Sequence, residues 1–289
     1  MKSQRVCPLN AVQVLHAIAA FLHGASFVSM IVFWIKTDPQ NYPKVYTTNV
    51  IWRQVLEPTA KCTDVAKGCI IISSLSDGYE VNVYAIFMAF FLVSCVFEAY
   101  YVQREFAGYW RWIEYAISAS LQTFAIAVVC NVLNVFVASL SALMVGALQY
   151  FGFALEQEQE QAQAKKLSLA PSNTSPKLKF YAKVPTASPA LTQMHVVAST
   201  PQNSSAKLSF GFLMLIFAWT PIFYHYFYNF NEPPGFVHVI FWCTFVAYCL
   251  FGIVMALKCS QLLNNTSTEI SYTVLSLFSK LSIAWVYVG

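Results

Sequence analysis

An all-α membrane protein, one bundle of seven transmembrane helices with its N-terminus cytoplasmic, is the fold class this sequence predicts, and three observations predict it. The 289 residues are 57% hydrophobic and only 10% charged, which lies outside soluble globular composition. Apolar runs long enough to cross a bilayer recur at residues 10–35, 81–103, 109–130, 132–155, 208–230, 235–257 and 269–288. The basic residues are divided unequally between the two sides. Of the seventeen Lys and Arg, eleven fall on the side of the N-terminus, one is Lys280 inside the last run, and five share a single loop with Asp38, Glu57, Asp64, Asp77 and Glu80. Basic residues in short loops stay cytoplasmic, so the N-terminus is expected inside and the C-terminus outside, in one domain spanning residues 1–289. Neither an enzyme, a metal site nor a nucleic-acid partner is expected.

Helix 1 carries His16 and His23, seven apart and therefore on one face about two turns from each other. The pair reads either as hydrogen-bonded packing residues or as proton-handling groups that face the bundle interior. The N-terminal MKSQRVCPLN has no small-residue cleavage site, and the run after it is too long for a signal sequence, so we read it as uncleaved. In the extracellular loop of residues 36–80, the stretches KVYTTNVIW and CIIISSL are rich in β-branched and aromatic residues and predict a small β-ribbon. Cys62 and Cys69 in that loop face the oxidising side and fit a local disulfide, whereas no spacing among the eight cysteines suggests zinc.

Helix 2 carries Glu98 near its cytoplasmic end, and helix 3 carries Arg111 and Glu114. Glu98 and Glu114 are the carboxylates expected well inside the spans. Lys280 of helix 7 lies about 16 Å into its apolar run at 1.5 Å per residue, close to mid-membrane. An unpaired ammonium there costs at least about 2.5–3.5 kcal/mol, so a partner is required. Glu114 is the natural one. Ser276 is one turn before Lys280 on the same face, on the side from which Glu114 projects, so the three are expected to cluster. Arg111, three residues before Glu114, competes for the same carboxylate, and that alternative stays open.

Residues 156–207, rich in Gln, Ser, Pro and Lys, are expected to be a mostly disordered cytoplasmic loop. Its opening EQEQEQAQAKK is a candidate extension of helix 4, and the lysines after it are candidates for contact with anionic lipid or a partner. The N-x-S/T sequons at Asn173, Asn203, Asn264 and Asn265 fall on the cytoplasmic side and are expected to stay unglycosylated. Helix 5 holds Pro221, which should bend it. Trp219, Trp242, Phe245 and Trp285 sit away from helix ends, either as packing residues or as walls for a flat apolar ligand.

RWIEYAISAS at Arg111–Ser120 and EISYTVLSLFSKLSIAW at Glu269–Trp285 resemble helices 3 and 7 of the heliorhodopsins. PPGFV before helix 6 and the Phe210-Gly211 pair ahead of Trp219 fit the same family, as does the inward N-terminus, which is opposite to other rhodopsins. The resemblance implies all-trans retinal held as a Schiff base on Lys280, with Glu114 as counter-ion and Ser276 hydrogen-bonded to that counter-ion. It also implies a non-pumping, homodimeric light receptor. His16 matches the family's helix 1 histidine, but SCVFEAYY puts Glu98 where the family usually has a second polar-cavity histidine. The long loop between helices 4 and 5 is likewise unusual and admits a cytoplasmic partner. The function expected is a light receptor with a slow photocycle; the alternative is a light-gated proton channel or transporter that uses His16, His23 and Glu98.

Overall fold

Among the described residues seven helices form the bundle: α1 (Ala11–Lys36), α2 (Val83–Tyr101), α3 (Tyr109–Val129), α4 (Val135–Leu169), α5 (Asn203–Tyr224), α6 (Gly235–Cys259) and α7 (Asn265–Val288). The computed structural model describes residues 10–36, 44–45, 52–54, 70–72, 79–104, 107–132, 134–169, 203–229 and 233–288. Asparagine starts four of the helices, because its short side chain satisfies amides that the first turn leaves free. Asn10 and Gln13 exchange backbone-to-side-chain bonds of 3.0 and 2.9 Å in a capping box. Asn82, Asn134 and Asn264 accept from Ala85, Phe136 and Ser267 at 3.1, 2.9 and 2.8 Å. At the other ends, Asn131 (φ 66°) and Gln261 (φ 60°) turn left-handed after α3 and α6. The next amides, of Val132 and Leu262, return to Ala127 and Leu257 and close the final turns. Beyond Pro221, whose ring nitrogen cannot donate to the preceding turn, α5 runs into a π-helical turn at His225–Asn229.

Six of these helices are long and apolar enough to cross a membrane. The chain is an integral, multi-pass membrane protein. α7 matches the others in length, but it carries Glu269, Lys280 and a series of Ser and Thr, so it lacks the long apolar stretch that the other six have. Its polar side is turned inward: Thr268, Glu269, Thr273, Ser276, Ser279 and Lys280 are all buried. The lipid-facing surface is apolar, with Phe21, Ile35, Phe136, Leu143 and Ile216 well exposed. α3 is the most enclosed helix.

The interior divides into two halves along the helix axes. Towards the ends of α2 and α7 that lie away from the N-terminus, the core is apolar, with Met30, Phe87, Phe90, Phe91, Ile222 and Ile283 packed together. Nearer the N-terminus, the core holds buried charge, described below. The glycine at position 152 shapes that half: a Cβ there would run into the Trp112 ring, so only glycine lets the indole of α3 lie flat against α4.

Two expectations change here. α4 continues through Leu169, so the loop expected at 156–207 begins as helix, and Glu156 at its start is buried. The EQEQEQ repeat keeps helical propensity and turns one glutamate inward. α7 begins at Asn265 rather than 269, because Asn264 caps it. In the loop expected at 36–80, Lys44–Val45 pairs antiparallel with Tyr79–Glu80, and Trp52–Gln54 with Ile70–Ile72. The remainder of that loop, including Cys62 and Cys69, lies outside the described residues, as do residues 170–202.

Candidate functional site

Lys280 is 3% exposed and Glu114 0%, so α7 and α3 bring a full ion pair into the bundle interior. The Lys280 Nζ lies 2.5 Å from Glu114 Oε1 and 2.7 Å from Ser94 Oγ of α2. Ser94 in turn donates to Glu114 Oε1 at 2.7 Å, and Ser118, one turn further along α3, donates to the same oxygen at 3.1 Å. Such a pair persists in a low dielectric because hydrogen bonds as well as opposite charge offset its desolvation. The ammonium also sits 5.5 Å from the centroid of the Tyr115 ring, within cation–π range.

The packing departs from one expectation here and decides one alternative that the sequence leaves open. Ser276 lies one turn before Lys280, as expected, but its hydroxyl has no partner, and Ser94 and Ser118 bind the carboxylate instead. Both were legible as spacings, since Ser118 is four after Glu114 and Ser94 four before Glu98, but only the helix packing selects them over Ser276. Arg111 does not take Glu114. Its guanidinium points one turn nearer the N-terminal face, donating to both oxygens of Glu156 at 2.7 and 2.8 Å and to Glu269. Among the described residues, Glu156 and Glu269, which lie at the ends of the expected spans and were not singled out in the sequence, are buried as well as Glu98 and Glu114.

Those groups form one array near the N-terminal face. Glu156 accepts from Arg111, from Lys258 of α6 and, at 2.5 Å, from the Trp112 indole. Glu269 accepts from Arg111 and from the Ala107 amide at 3.3 Å. His16 is placed between two helices: its Nδ1 lies 2.5 Å from Glu98 Oε2 and its Nε2 3.5 Å from Glu269 Oε1. His23, two turns along the same face of α1, is fully buried with neither ring nitrogen bonded, its ring 5.7 Å from that of Phe91. The two histidines thus share a face but not an environment.

A cavity opens beside Lys280, lined by Tyr115, Ala119, Gln122, Tyr248, Phe251 and Ser276. Aromatic and apolar walls with the amine at one end suit a hydrophobic ligand anchored at one polar point. Of the four aromatics singled out in the sequence, Trp219 is fully buried, with Phe245 and Tyr248 at 5.2 and 5.7 Å from it. Trp242 and Trp285 are each 45% exposed, and Trp285 instead donates to Ser26 of α1 at 3.2 Å. None of the four lines the cavity directly; Tyr248 connects its wall to the Trp219 cluster.

A comparison with protein families matches residues 12–173 and 190–289 to Heliorhodopsin. The chain belongs to the heliorhodopsin family. It is therefore a membrane photoreceptor protein of the rhodopsin kind, for which the family implies a retinal chromophore. Among solved structures, the transmembrane domain of Salpingoeca rosetta rhodopsin phosphodiesterase is similar in fold. The TM-score is 0.55 at 10% identity, over 95% of this chain and 82% of that one. No curated protein matches the chain. The residues present fit a retinal: a buried amine with a carboxylate at 2.5 Å opens onto an apolar cavity.

Proposed function

We propose that this heliorhodopsin is a light receptor in which Lys280 holds all-trans retinal as a Schiff base and Glu114 is the counter-ion. The observation that carries the reading is the Lys280, Glu114 and Ser94 triangle, with sides of 2.5, 2.7 and 2.7 Å. When bound, the chromophore supplies light absorption and isomerisation. The protein's residues do the rest. Glu114 compensates the positive charge on the Lys280 nitrogen, and Ser94 and Ser118 hold that carboxylate in place. Tyr115, Tyr248 and Phe251 exclude water from the cavity, and Trp219 with Phe245 stiffens the wall behind Tyr248. Proton handling falls to the side of His16, His23 and Glu98, and a slow return to the dark state makes the photoproduct a signal. The cytoplasmic N-terminus, homodimerisation and a partner for residues 156–207 belong to the same proposal, supported by charge distribution and by family resemblance.

The reading is tested by expressing the chain with added all-trans retinal. A visible absorbance band that disappears in Lys280→Ala is expected; no band, or one that survives the substitution, refutes it. Light-gated proton conduction is the second reading, and the charge array of His16, Glu98, Glu269, Arg111 and Glu156 favours it. Against it, the other half of the bundle contains no buried carboxylate, Lys or Arg among the described residues, whereas conduction needs polar groups through both halves. Light-evoked current under voltage clamp decides: none is expected at any voltage, and a current that reverses with the proton gradient makes the chain a channel.

A further inference from the structure

The array near the N-terminal face has an unequal charge count. Three of its carboxylates, Glu98, Glu156 and Glu269, are buried with two permanent cations, Arg111 and Lys258. A low-dielectric interior does not tolerate the remaining negative charge, so one further proton belongs to the array. His16 is the place for it. Its Nδ1 bonds Glu98 at 2.5 Å and its Nε2, which makes no hydrogen bond, lies 3.5 Å from a Glu269 oxygen, so a ring charged as an imidazolium is compensated by a carboxylate on each side. The Tyr101 ring closes this pocket edge-on at 5.3 Å.

The carboxylates are not equally compensated. Glu156 is held by Arg111, Lys258 and the Trp112 indole, and Glu269 by Arg111, the Ala107 amide and His16. Glu98 bonds to His16, with no permanent cation bonded to it. A proton added to the array is therefore least costly on Glu98. Glu98 is also the nearest of the three to Lys280 along the chain of contacts, one turn from Ser94 on α2, and Ser94 touches both Lys280 and Glu114. His23 is the rival, but protonating it would leave an imidazolium with no carboxylate on either nitrogen.

We propose that Glu98 is the resting place of the proton lost from the Lys280 nitrogen on illumination, and that the His16 imidazolium and Glu269 hold Glu98 ready as its acceptor. The N–H bond at Lys280 breaks with its electron pair left on nitrogen, and an O–H bond forms on the Glu98 carboxylate. No other co-reactant is needed. This rests on the reading of Lys280 as the retinal attachment site.

Two measurements test it, one without retinal. In retinal-free protein carrying ¹⁵N-histidine, with His16 assigned through His16→Asn, nitrogen NMR should show an imidazolium in the wild type and a neutral ring in Glu98→Gln, where the charge count closes without it. A neutral wild-type His16, or a ring still charged in Glu98→Gln, overturns the proposal. In the pigment, light-minus-dark infrared spectra should show a new carboxylic acid C=O band that is lost in Glu98→Gln and kept in His23→Asn, which removes the rival acceptor. A band that survives Glu98→Gln overturns the proposal but leaves the retinal reading standing, whereas absence of any visible pigment in the wild type overturns both.

Discussion

Replacing Glu114 by Gln removes a charge from a site where little else can supply one. At 2.5 Å from the Lys280 nitrogen and an effective dielectric of about 20, the attraction removed is about 6–7 kcal/mol before solvation is counted. Lost desolvation cost of the carboxylate returns part of this, and the neutral amide still accepts from Ser94 and Ser118. Taking a net loss of about 3 kcal/mol, in the range for breaking a buried pair, the charged form of the Lys280 nitrogen becomes disfavoured about a hundredfold. The assay is the absorption spectrum of the purified pigment through a pH series. Glu114→Gln should absorb in the near ultraviolet at neutral pH and regain a visible band on acidification. An unchanged spectrum and an unchanged titration would refute the assignment of Glu114, because among the described residues no other carboxylate bonds Lys280.

Ser94→Ala removes a hydroxyl bonded to both members of the ion pair, costs about 1.5–3 kcal/mol and should shift the visible band, while Ser276→Ala, whose hydroxyl lines the cavity but has no partner, should leave stability nearly unchanged and shift the band less than Ser94→Ala. Arg111→Met leaves Glu269 and one face of Glu156 without their cation and should lower stability in detergent by about 3–5 kcal/mol, read as a fall in Tm; Arg111→Lys should not restore it, since one ammonium cannot span both carboxylates. Gly152→Ala drives a methyl into the Trp112 ring and should cost about 1–3 kcal/mol, with a thermal midpoint equal to wild type counting against the packing described.

The helices were legible because apolar runs of bilayer length are a strong signal, and the Lys280–Glu114 pair because a lone lysine in such a run demands an anion. The limits have equally physical causes. EQEQEQ was legible both as the start of a loop and as an extension of helix 4; it propagates α4, and Glu156 is buried because Arg111, Lys258 and Trp112 on other helices meet it. Nothing within α4 announces those partners. Arg111 was ambiguous for the same reason: its spacing to Glu114 is a valid helical contact, and only the position of α4 and α7 decides against it. Ser276 was selected by its distance from Lys280 along one helix, whereas the serines that bind the carboxylate come from α2 and α3. The aromatics were the least legible. Trp219 and Trp285 are alike in sequence context, yet one is enclosed by α6 rings and the other is half exposed.

The same pairings bear on why α7 crosses the membrane at all. It is the helix whose composition is least suited to a bilayer, and Lys280 alone would cost at least about 2.5–3.5 kcal/mol at its centre. Its two buried charges, Glu269 and Lys280, each meet an opposite charge on α3: Glu269 meets Arg111 and Lys280 meets Glu114. Arg111 and Glu114 are one turn apart, so α3 presents a cation and an anion in the order that α7 needs. The two helices are therefore matched in register by charge as well as by packing, and a slip of one turn would bring Arg111 towards Lys280. Opposite-sign pairs in this order fix one register and disfavour its neighbours. The residues that hold the Lys280 amine are thus also those that align α7 in the bundle, which is why substitutions at Glu114 or Arg111 should be judged by spectrum and thermal midpoint together.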